Sequence, residues 1–293
     1  MTASYLIIGA DGQLGSSFAR RLGAQAISWT RGDLDLARFD LLADAAKRGL
    51  DALPKQPTAV INCAAYTKVD LAEKEPELCR AINSDAVRVL ARVCNDRGLR
   101  FVHFSTDYVF SGADGRDTPY RETDETSPEG VYAQSKLDGE AATAECAQHI
   151  VIRTCGLYGK LNKAGQGNFV ETILRLARQK PELRIVNDQH CTPSAVEDIV
   201  TGTMNLLHSN QQTNGLYHVV NSGATTWYDL AKELLRLEKI ATPIVPISTA
   251  EFNAPAPRPR YSVLDSQKFQ ATTGTTLPTW EEALQRYLGE RST

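Results

Sequence analysis

The sequence YLIIGADGQLGSSFARRL, residues 5–22, joins a short apolar run to a helical pattern through a glycine-rich turn. Tyr5–Ile8 is typical of a buried strand, and Ser16–Leu22 is typical of a helix. Gly9 would permit the tight turn, Gly12 the close approach of a pyrophosphate, and Gly15 the close packing of helix against strand. Because a helix N-terminus offers free N–H groups to an anion, this stretch predicts a dinucleotide site.

Strand patterns alternate with helical patterns across residues 1–155. The strand patterns are Ala26–Trp29, Ala59–Asn62, Arg100–Phe104 and His149–Arg153, and the helical patterns are Leu41–Arg48, Pro76–Asn95 and Tyr132–Cys146. Such alternation predicts an α/β fold, namely a Rossmann-type doubly wound parallel sheet. Because the ligands of these sheets lie beyond the carboxyl ends of the strands, we expect the functional site at that edge.

The pattern is looser after residue 155. It predicts helices over Asn168–Gln179, Thr226–Leu237 and Thr279–Leu288, and a strand over Gly215–Val220. We therefore expect a dinucleotide-binding domain over 1–155 and a smaller, mainly substrate-binding C-terminal domain over 156–293. Part of 190–222 is a candidate to return to the dinucleotide-binding domain. Five prolines between 243 and 259 indicate a stiff linker, or else a segment that turns Arg258 and Arg260 toward an anionic substrate.

Composition and charge argue against several classes of function. The chain has 293 residues and a net charge of −3, with acidic and basic residues interspersed, so no basic stripe indicates a nucleic-acid partner. No apolar run approaches the ~20 residues that span a membrane, and the first strand begins too early to leave room for a secretion signal. The six cysteines lack paired spacing, so we expect no metal site, no disulfide framework and a cytoplasmic location.

Tyr132 and Lys136, four residues apart in VYAQSKLDGE, would share one face of a helix. A cation beside a phenol lowers the pKa of the phenol from about 10, so the tyrosine can exchange a proton with a carbonyl oxygen near neutral pH. Thr106, at the end of a strand pattern, could hold the same oxygen. These three residues predict reduction of a ketone by a hydride donor bound opposite them.

A second pair with the same spacing, Tyr228 and Lys232 in WYDLAKEL, shows that the spacing alone is not specific. The leucines of that segment form one apolar stripe, which is typical of an ordinary amphipathic helix. The first pair is favoured as catalytic by its position near the dinucleotide turn.

Arg31 follows the predicted strand Ala26–Trp29, where the choice between the two nicotinamide nucleotides is made. An acidic residue at this point would bind the 2′-hydroxyl of the ribose, whereas an arginine would favour a 2′-phosphate. The first acids, Asp33 and Asp35, come later. NADPH is therefore predicted over NADH, unless Asp33 folds back to the ribose.

Longer motifs carry a resemblance to a known family. They are GADGQLG from Gly9, VINCAAYTKVDLAEKEPELCRAIN from Val60, FSTDYVFSG from Phe104, VYAQSKLDGE from Val131, IRTCGLYG from Ile152 and RPRYSVLDSQKF from Arg258. Over nearly its whole length the chain resembles the extended short-chain dehydrogenase/reductases and, among them, the dTDP-4-dehydrorhamnose reductase family. The resemblance implies NADPH-dependent reduction of a dTDP-linked 4-keto-6-deoxy sugar, dTDP-4-dehydro-L-rhamnose. Some members are thought to dimerise, so a homodimer is a further expectation.

The resemblance also implies a role for each matching residue. Tyr132 would donate the proton, Lys136 would tune its pKa and bind ribose, and Thr106 would complete the catalytic set. The implied cofactor contacts are Gly9, Asp11, Gly12, Gln13, Leu14, Arg31, Asp35, Leu36, Ala64, Ala65, Tyr66, Thr67, Phe104, Tyr132 and Lys136. The implied substrate contacts are Val69, Thr106, Asp107, Gly156 and Arg258.

One position departs from the family pattern. Many members carry a tryptophan after the Arg-Thr-Ser/Cys run, where it packs on the substrate sugar, and this chain has Gly156 there. The change would widen the pocket and remove about 1 kcal/mol of aromatic stacking, unless a neighbour such as Tyr158 fills the space. A bulkier nucleotide sugar, or opposite stereochemistry at the reduced carbon, would be the functional consequence.

Two other functions share these motifs. A nucleotide-sugar epimerase or dehydratase with tightly held NAD also uses the Tyr-Lys pair, although a dehydratase would need a second carboxylate beside Thr106 and Asp107. A relative of these reductases is a non-catalytic regulatory subunit of methionine adenosyltransferase, and the intact Thr106, Tyr132 and Lys136 argue against that role here. Consumption of stoichiometric NADPH would distinguish a reductase from both.

Overall fold

The computed structural model describes residues 3–112, 115–160 and 167–291. The strands in this part of the chain are β1 (Tyr5–Ile8), β2 (Ala26–Trp29), β3 (Ala59–Asn62), β4 (Arg100–Thr106), β5 (His149–Thr154), β6 (Leu183–Val186), β7 (His190–Cys191), β8 (Gly215–His218), β9 (Thr225–Thr226) and β10 (Ile244–Ile247). The α-helices are α1 (Gln13–Leu22), α2 (Phe39–Asp51), α3 (Val69–Ala72), α4 (Pro76–Arg80), α5 (Ala86–Asp96), α6 (Gly130–Thr143), α7 (Phe169–Ala177), α8 (Val196–His208), α9 (Trp227–Leu237), α10 (Thr249–Phe252), α11 (Gln267–Thr273) and α12 (Trp280–Arg291).

The main sheet contains six strands in the order β2-β1-β3-β4-β5-β8 among the described residues, and every neighbouring pair is parallel. The chain moves from β1 outward to β2 and then returns to place β3 on the other side of β1. Such a reversal leaves a crevice beyond the carboxyl ends of the strands. The predicted α/β fold with a doubly wound parallel sheet is confirmed.

Alternate residues of β1 enter two different cores. Tyr5 and Ile7 pack with residues of α1 and α8, whereas Leu6 and Ile8 pack with residues of α2 and α5. Because successive side chains of a strand point to opposite faces, a strand with helices on both faces must be apolar throughout. This explains why the sequence shows a continuous apolar run there.

The bounds of several elements differ from the sequence prediction near the crevice. β4 continues two residues beyond Phe104 to Thr106, and β5 continues to Thr154, because these two threonines pair with each other in the parallel ladder. α1 begins at Gln13 because Gly12, with φ −73° and ψ 169°, is the extended residue that precedes the helix. Each extension brings a polar group to the crevice.

The segment predicted as one helix over Pro76–Asn95 is interrupted by a π-helical turn at Ala81–Asp85. Asn83 in this turn accepts a hydrogen bond from the N–H of Tyr66 at 2.8 Å and donates one to its carbonyl at 3.0 Å. It also donates to the Ser135 hydroxyl at 3.0 Å. A π turn widens a helix locally, and here it ties the loop after β3 to α6.

Part of segment 190–222 returns to the first core, as the sequence analysis allowed. β8 pairs with β5, and Val196 and Val200 of α8 pack in the core that contains Phe18 of α1. A separate core is formed by α7, α9 and α12 together with Tyr158. The division into two domains remains a prediction.

The proline-rich segment is not a simple linker, because β10 lies within it and pairs in parallel with β6. Pro246 occupies a position in this two-stranded sheet, where a residue without an N–H is tolerated because the strand has a free edge. The linker interpretation is therefore wrong for Ile244–Ile247.

Within residues 3–112, 115–160 and 167–291, no helix has the length and apolarity to cross a bilayer. Over the same ranges, no group of three or more His, Cys, Asp or Glu side chains is arranged to hold a metal ion.

Candidate active site

A cleft of about 570 Å³ lies beyond the carboxyl ends of β1, β3, β4 and β5. Most of the predicted site residues meet in this cleft, although they come from distant parts of the chain. Those in its lining are Gly9, Asp11, Gly12, Gln13, Leu14, Arg31, Asp35, Leu36, Ala64, Ala65, Thr67, Phe104, Thr106, Tyr132, Lys136 and Gly156. The parallel sheet brings them together because it aligns the carboxyl ends of its strands at one edge.

The glycines after β1 are required by close backbone contacts. Gly9 has φ +77°, and a Cβ there would lie 2.8 Å from the backbone nitrogen of Ala64. A Cβ at Gly15 would overlap the carbonyl oxygen of Gly9. Because neither position has room for a side chain, backbone forms the floor of the cleft at this point.

The N-terminus of α1 has the features of a phosphate site. No side chain caps the helix, and its first turn contains no acidic residue. Free N–H groups at a helix N-terminus attract an anion. The turn therefore fits the pyrophosphate of a dinucleotide, with Gly12, Gln13 and Leu14 as the residues that would hold it.

Arg31 and Asp35 face the cleft beyond β2. The Arg31 side chain is 75% exposed and forms an ion pair with Asp35 at 3.3 Å. Asp33 instead accepts hydrogen bonds from the N–H and the hydroxyl of Thr30 at 2.8 and 2.9 Å. Asp33 is therefore held by Thr30 and does not line the cleft. NADH would have been favoured only if Asp33 folded back to the ribose, and this condition is not met.

Lys136 of α6 lies against the end of β4 and is only 2% exposed. Its Nζ donates to the carbonyl of Phe104 at 2.5 Å and lies 3.3 Å from Nε2 of His103. Burial lowers the pKa of Lys136 from 10.5 to about 8. This lysine can therefore gain or lose a proton near neutral pH.

Tyr132 lies one helical turn before Lys136. Burial raises the pKa of Tyr132, and its hydrogen bond with Thr106 offsets only part of the rise. The expectation of a phenol with a lowered pKa is therefore wrong for this structure, because burial dominates. The phenol is held in its protonated form, which is the form that donates a proton.

Thr106 ends β4 and is tied to its neighbours through its hydroxyl. This hydroxyl donates to Asp107 at 3.1 Å and accepts a hydrogen bond from the N–H of Tyr108 at 3.2 Å. Asp107 also accepts from the Ser262 hydroxyl at 2.5 Å. Burial raises the pKa of Asp107, although the hydrogen bond from Ser262 opposes the rise.

Four residues predicted to contact a ligand do not line the cleft: Tyr66, Val69, Asp107 and Arg258. The Tyr66 hydroxyl donates to Glu75 at 2.8 Å, and Asp107 is buried beneath Thr106. Arg258 donates to both oxygens of Asp70 at 3.0 Å, next to Val69 in α3. The roles of these residues in binding remain predictions.

The structure adds lining residues for which the sequence analysis predicted no contact role. They are Leu34, Cys63, Ile82, Leu157, Gly167 and Asn168, together with Ser105, Thr154 and Cys155, which lie at the strand ends where the site was expected. Asn168 caps α7 and donates to the Gln13 side chain at 3.0 Å, and Gln13 donates to the Leu157 carbonyl at 3.2 Å. An asparagine at the start of a helical pattern signals a cap, but its contact with Gln13 depends on tertiary structure.

The second Tyr-Lys pair lies in a different setting. Tyr228 is half-buried and Lys232 is exposed on α9, and neither lines the cleft. Leu230, Ala231, Leu234 and Leu235 are the buried residues of that helix. The interpretation of this pair as an ordinary amphipathic helix agrees with its surroundings.

Gly156 does not border an empty space on the side where a side chain would project. Its φ is +51°, and a Cβ there would lie 2.9 Å from the ring tip of Trp227 and 3.2 Å from the Cα of Pro193. Trp227 in turn packs on Phe169, with ring centroids 4.7 Å apart. Trp227, rather than Tyr158, therefore fills the space beside the glycine.

We expect Gly156→Ala to lower the free energy of unfolding by more than Gly98→Ala. Both glycines have positive φ, +51° and +63°, and such a backbone costs about 1–2 kcal/mol for a residue with a Cβ. A Cβ at Gly98 meets nothing within 4 Å, so this variant measures the backbone strain alone. Urea unfolding of both variants measures the difference. Equal losses of unfolding free energy in the two variants would contradict the close contact predicted between a Cβ at position 156 and Trp227.

Comparisons with known proteins agree with this site. The model of the RmlD substrate binding domain matches residues 3–292. A dTDP-4-dehydrorhamnose reductase of Escherichia coli K12 is 40% identical over 248 residues, which is 80% of each chain. The crystal structure of dTDP-4-dehydrorhamnose reductase from Bacillus anthracis, in complex with NADP, superposes with a TM-score of 0.91 at 33% identity, over 99% of this chain and 100% of that one.

A UDP-glucose 4-epimerase from Thermotoga maritima superposes with a TM-score of 0.80, over 99% of this chain and 100% of that one, but at 19% identity. At that identity the likeness shows a shared fold only. The family model and the more similar relatives decide the family. The chain belongs to the dTDP-4-dehydrorhamnose reductase family, as its motifs predicted.

Proposed function

We propose that this chain is an NADPH-dependent reductase that converts dTDP-4-dehydro-L-rhamnose to dTDP-L-rhamnose. The observation that carries the proposal is the convergence of Thr106, Tyr132 and Lys136 in the same cleft as the glycine turn after β1. A relative that bears the name of this activity, 40% identical, supports it.

The cofactor assignment is supported by the chain's own residues and by one solved relative. The uncapped α1 and the glycine turn suit a pyrophosphate, and Arg31 in the cleft suits a 2′-phosphate. The relative from Bacillus anthracis was crystallised with NADP. The chemistry that NADPH supplies when bound is hydride transfer to the C4 carbonyl of the sugar.

The protein's part in the reaction is to supply a proton and to stabilise charge. Tyr132 gives its phenolic proton to the carbonyl oxygen as negative charge develops there. Thr106 donates a hydrogen bond to the same oxygen, for which its hydroxyl hydrogen must turn away from Asp107. Lys136 in its ammonium form stabilises the phenolate that remains on Tyr132.

Arg258 is the residue we assign to the diphosphate of the nucleotide sugar. Its guanidinium is held by Asp70 at 3.0 Å and lies 5.8 Å from the ring centroid of Phe252. Asp70 holds the guanidinium at the start of α3, where Val69 also lies. An arginine oriented in this way loses less conformational freedom when it binds an anion.

The proposal is tested by mixing purified protein with NADPH and enzymatically generated dTDP-4-dehydrorhamnose. The reductase should consume one NADPH per sugar, measured by absorbance, and NMR should identify dTDP-L-rhamnose as the product. NADH in a parallel reaction should be used more slowly.

Product without net NADPH consumption would instead indicate an epimerase or dehydratase. No turnover, together with co-purification of a methionine adenosyltransferase, would indicate the regulatory role.

The homodimer and the cytoplasmic location expected from the sequence remain predictions. Light scattering of the purified protein measures the first, and cell fractionation measures the second.

A further inference from the structure

His103 is a buried ionisable residue for which the proposed reaction has no role. It lies in β4, is 1% exposed, and its ring is placed between Asn62 of β3 and Lys136 of α6. Gly139 of α6 lies beside the ring, and a Cβ there would lie 3.3 Å from Nε2 and would overlap the carbonyl oxygen of Asn83. Burial holds the pKa of His103 well below its ordinary value, so the ring is neutral.

Asn62 determines which nitrogen of this neutral ring carries the hydrogen. The Oδ1 atom of Asn62 accepts the N–H of Ala64 at 3.2 Å, so its NH₂ group points to Nδ1 of His103, also at 3.2 Å. Turning the amide over would leave two donors facing each other at Ala64. A neutral imidazole has one donor and one acceptor nitrogen. Nδ1 is therefore the acceptor, and Nε2 carries the hydrogen.

This tautomer points an N–H at Lys136. Nε2 lies 3.3 Å from Nζ, which also donates to the carbonyl of Phe104 at 2.5 Å. An ammonium group has three donors and no acceptor, so it would face Nε2–H donor to donor. An amine can donate to Phe104 and accept from His103 at the same time. The hydrogen-bond pattern therefore fits the amine better than the ammonium.

We propose that His103 is a positioning residue that, oriented by Asn62, favours the amine form of Lys136. Other ionisable groups that face Lys136 act in the opposite direction: Glu140 on the same helix and Cys79 on α4 both raise its pKa. Tyr132 lies one turn away on α6. In the proposed reaction Lys136 acts as the ammonium, so the donor of His103 sets an upper pH limit on that form. The expected effect on catalysis rests on the proposed function, whereas the assignment of the His103 tautomer does not.

The tautomer can be measured on the protein without added nucleotide, using ¹⁵N-histidine labelling. The chain has five histidines, and a second fully buried one supplies an internal reference. Nδ1 of His218 lies 3.2 Å from the carbonyl oxygen of Asp265, so this ring carries its hydrogen on Nδ1. Burial lowers the pKa of His218 to about 3.

We expect two histidines that stay neutral between pH 6 and 9, one of each tautomer. Their signals are assigned by the loss of one in His103→Met or His103→Gln.

A pH profile supplies the second measurement. In His103→Met the ring donor is gone while the site stays filled, so the upper pH limit of NADPH-dependent reduction should rise by about half to one pH unit. His149→Met, at the amino end of the neighbouring strand β5, is the matched control and should leave the limit unchanged. A hydrogen on Nδ1 of His103, or a limit that moves to lower pH, would overturn the proposal. A protein that has the expected tautomer but reduces no keto sugar would instead refute the proposed function.

Discussion

Replacing Tyr132 by Phe is expected to lower the turnover of keto-sugar reduction by about 100- to 10,000-fold, the range that general acid catalysis contributes. The substitution removes one oxygen and leaves the ring, which packs edge-on against Tyr108 with centroids 5.9 Å apart. The carbonyl oxygen would then receive its proton from water. Because hydride transfer develops negative charge on that oxygen, the loss falls on the chemical step.

Cofactor binding should change little in this variant. The glycine turn after β1 and Arg31 are distant in sequence from α6 and keep their contacts. The measurement is single-turnover oxidation of NADPH at saturating substrate, together with a fluorescence titration of NADPH. Tyr228→Phe, in the second Tyr-Lys pair, is the matched control and should retain full turnover. Near-normal turnover of Tyr132→Phe would refute its assignment as the proton donor.

Replacing Arg153 by Met is expected to lower the free energy of unfolding by about 3–5 kcal/mol, the cost of removing one partner from a buried ion pair. Arg153 of β5 and Glu140 of α6 are 4% and 10% exposed and meet at 2.7 Å. Glu140 also accepts from Nε of Arg153 at 2.8 Å and from the Ser105 hydroxyl at 2.5 Å. Without Arg153, the carboxylate would keep Ser105 as a donor but lose its countercharge.

An exposed pair in the same chain provides the control for this prediction. Arg236 and Glu233 meet at 2.6 Å on α9, but the Arg236 side chain is 67% exposed. Ion pairs at the surface contribute about 0–1 kcal/mol, so Arg236→Ala should be nearly neutral. Urea unfolding measures both variants, and the double variant Arg153→Met with Glu140→Met should recover part of the loss. If Arg153→Met costs no more than Arg236→Ala, the buried pair does not stabilise the fold in this way.

The local sequence pattern was sufficient to predict a strand or helix where that element depends mainly on its own residues. β1, β2 and β3 have the predicted bounds. β1 and β3 are buried on both faces and so show a continuous apolar run, whereas β2 is a partly exposed edge strand. The helix after β3 was less predictable. Its π turn serves the contacts of Asn83 with Tyr66 and Ser135, which no helical periodicity can reveal.

The residues proposed as catalytic could be named from their motifs, but the direction of their pKa shifts could not be predicted in this way. Proximity of Lys136 to Tyr132 in sequence predicts a lowered pKa for the phenol, whereas burial raises it and lowers the pKa of the lysine. Burial depends on how α6 packs against β4. The same packing places His103 behind Lys136, a contact that no spacing in the sequence suggests.

The effect of Gly156 was also undetermined by sequence. Its replacement of an aromatic residue suggested a wider pocket, but Trp227 reaches the position from α9, seventy-one residues away in the chain. The local motif shows only that the aromatic side chain is absent at position 156. The neighbour that occupies the space is set by long-range packing, since protein interiors are filled to the density of organic crystals.

The sequence by itself determined the parallel α/β fold and the family, and it predicted the glycine turn for a dinucleotide and the proposed catalytic set. Each of these depends on residue types at fixed spacing, and on rules that connect spacing to strands, turns and helix faces. Tertiary structure alone decided the direction of the pKa shifts of Tyr132 and Lys136, the partner of Arg258 and the space beside Gly156. These depend on distances between segments far apart in the chain, because desolvation and charge act through space and not along the sequence.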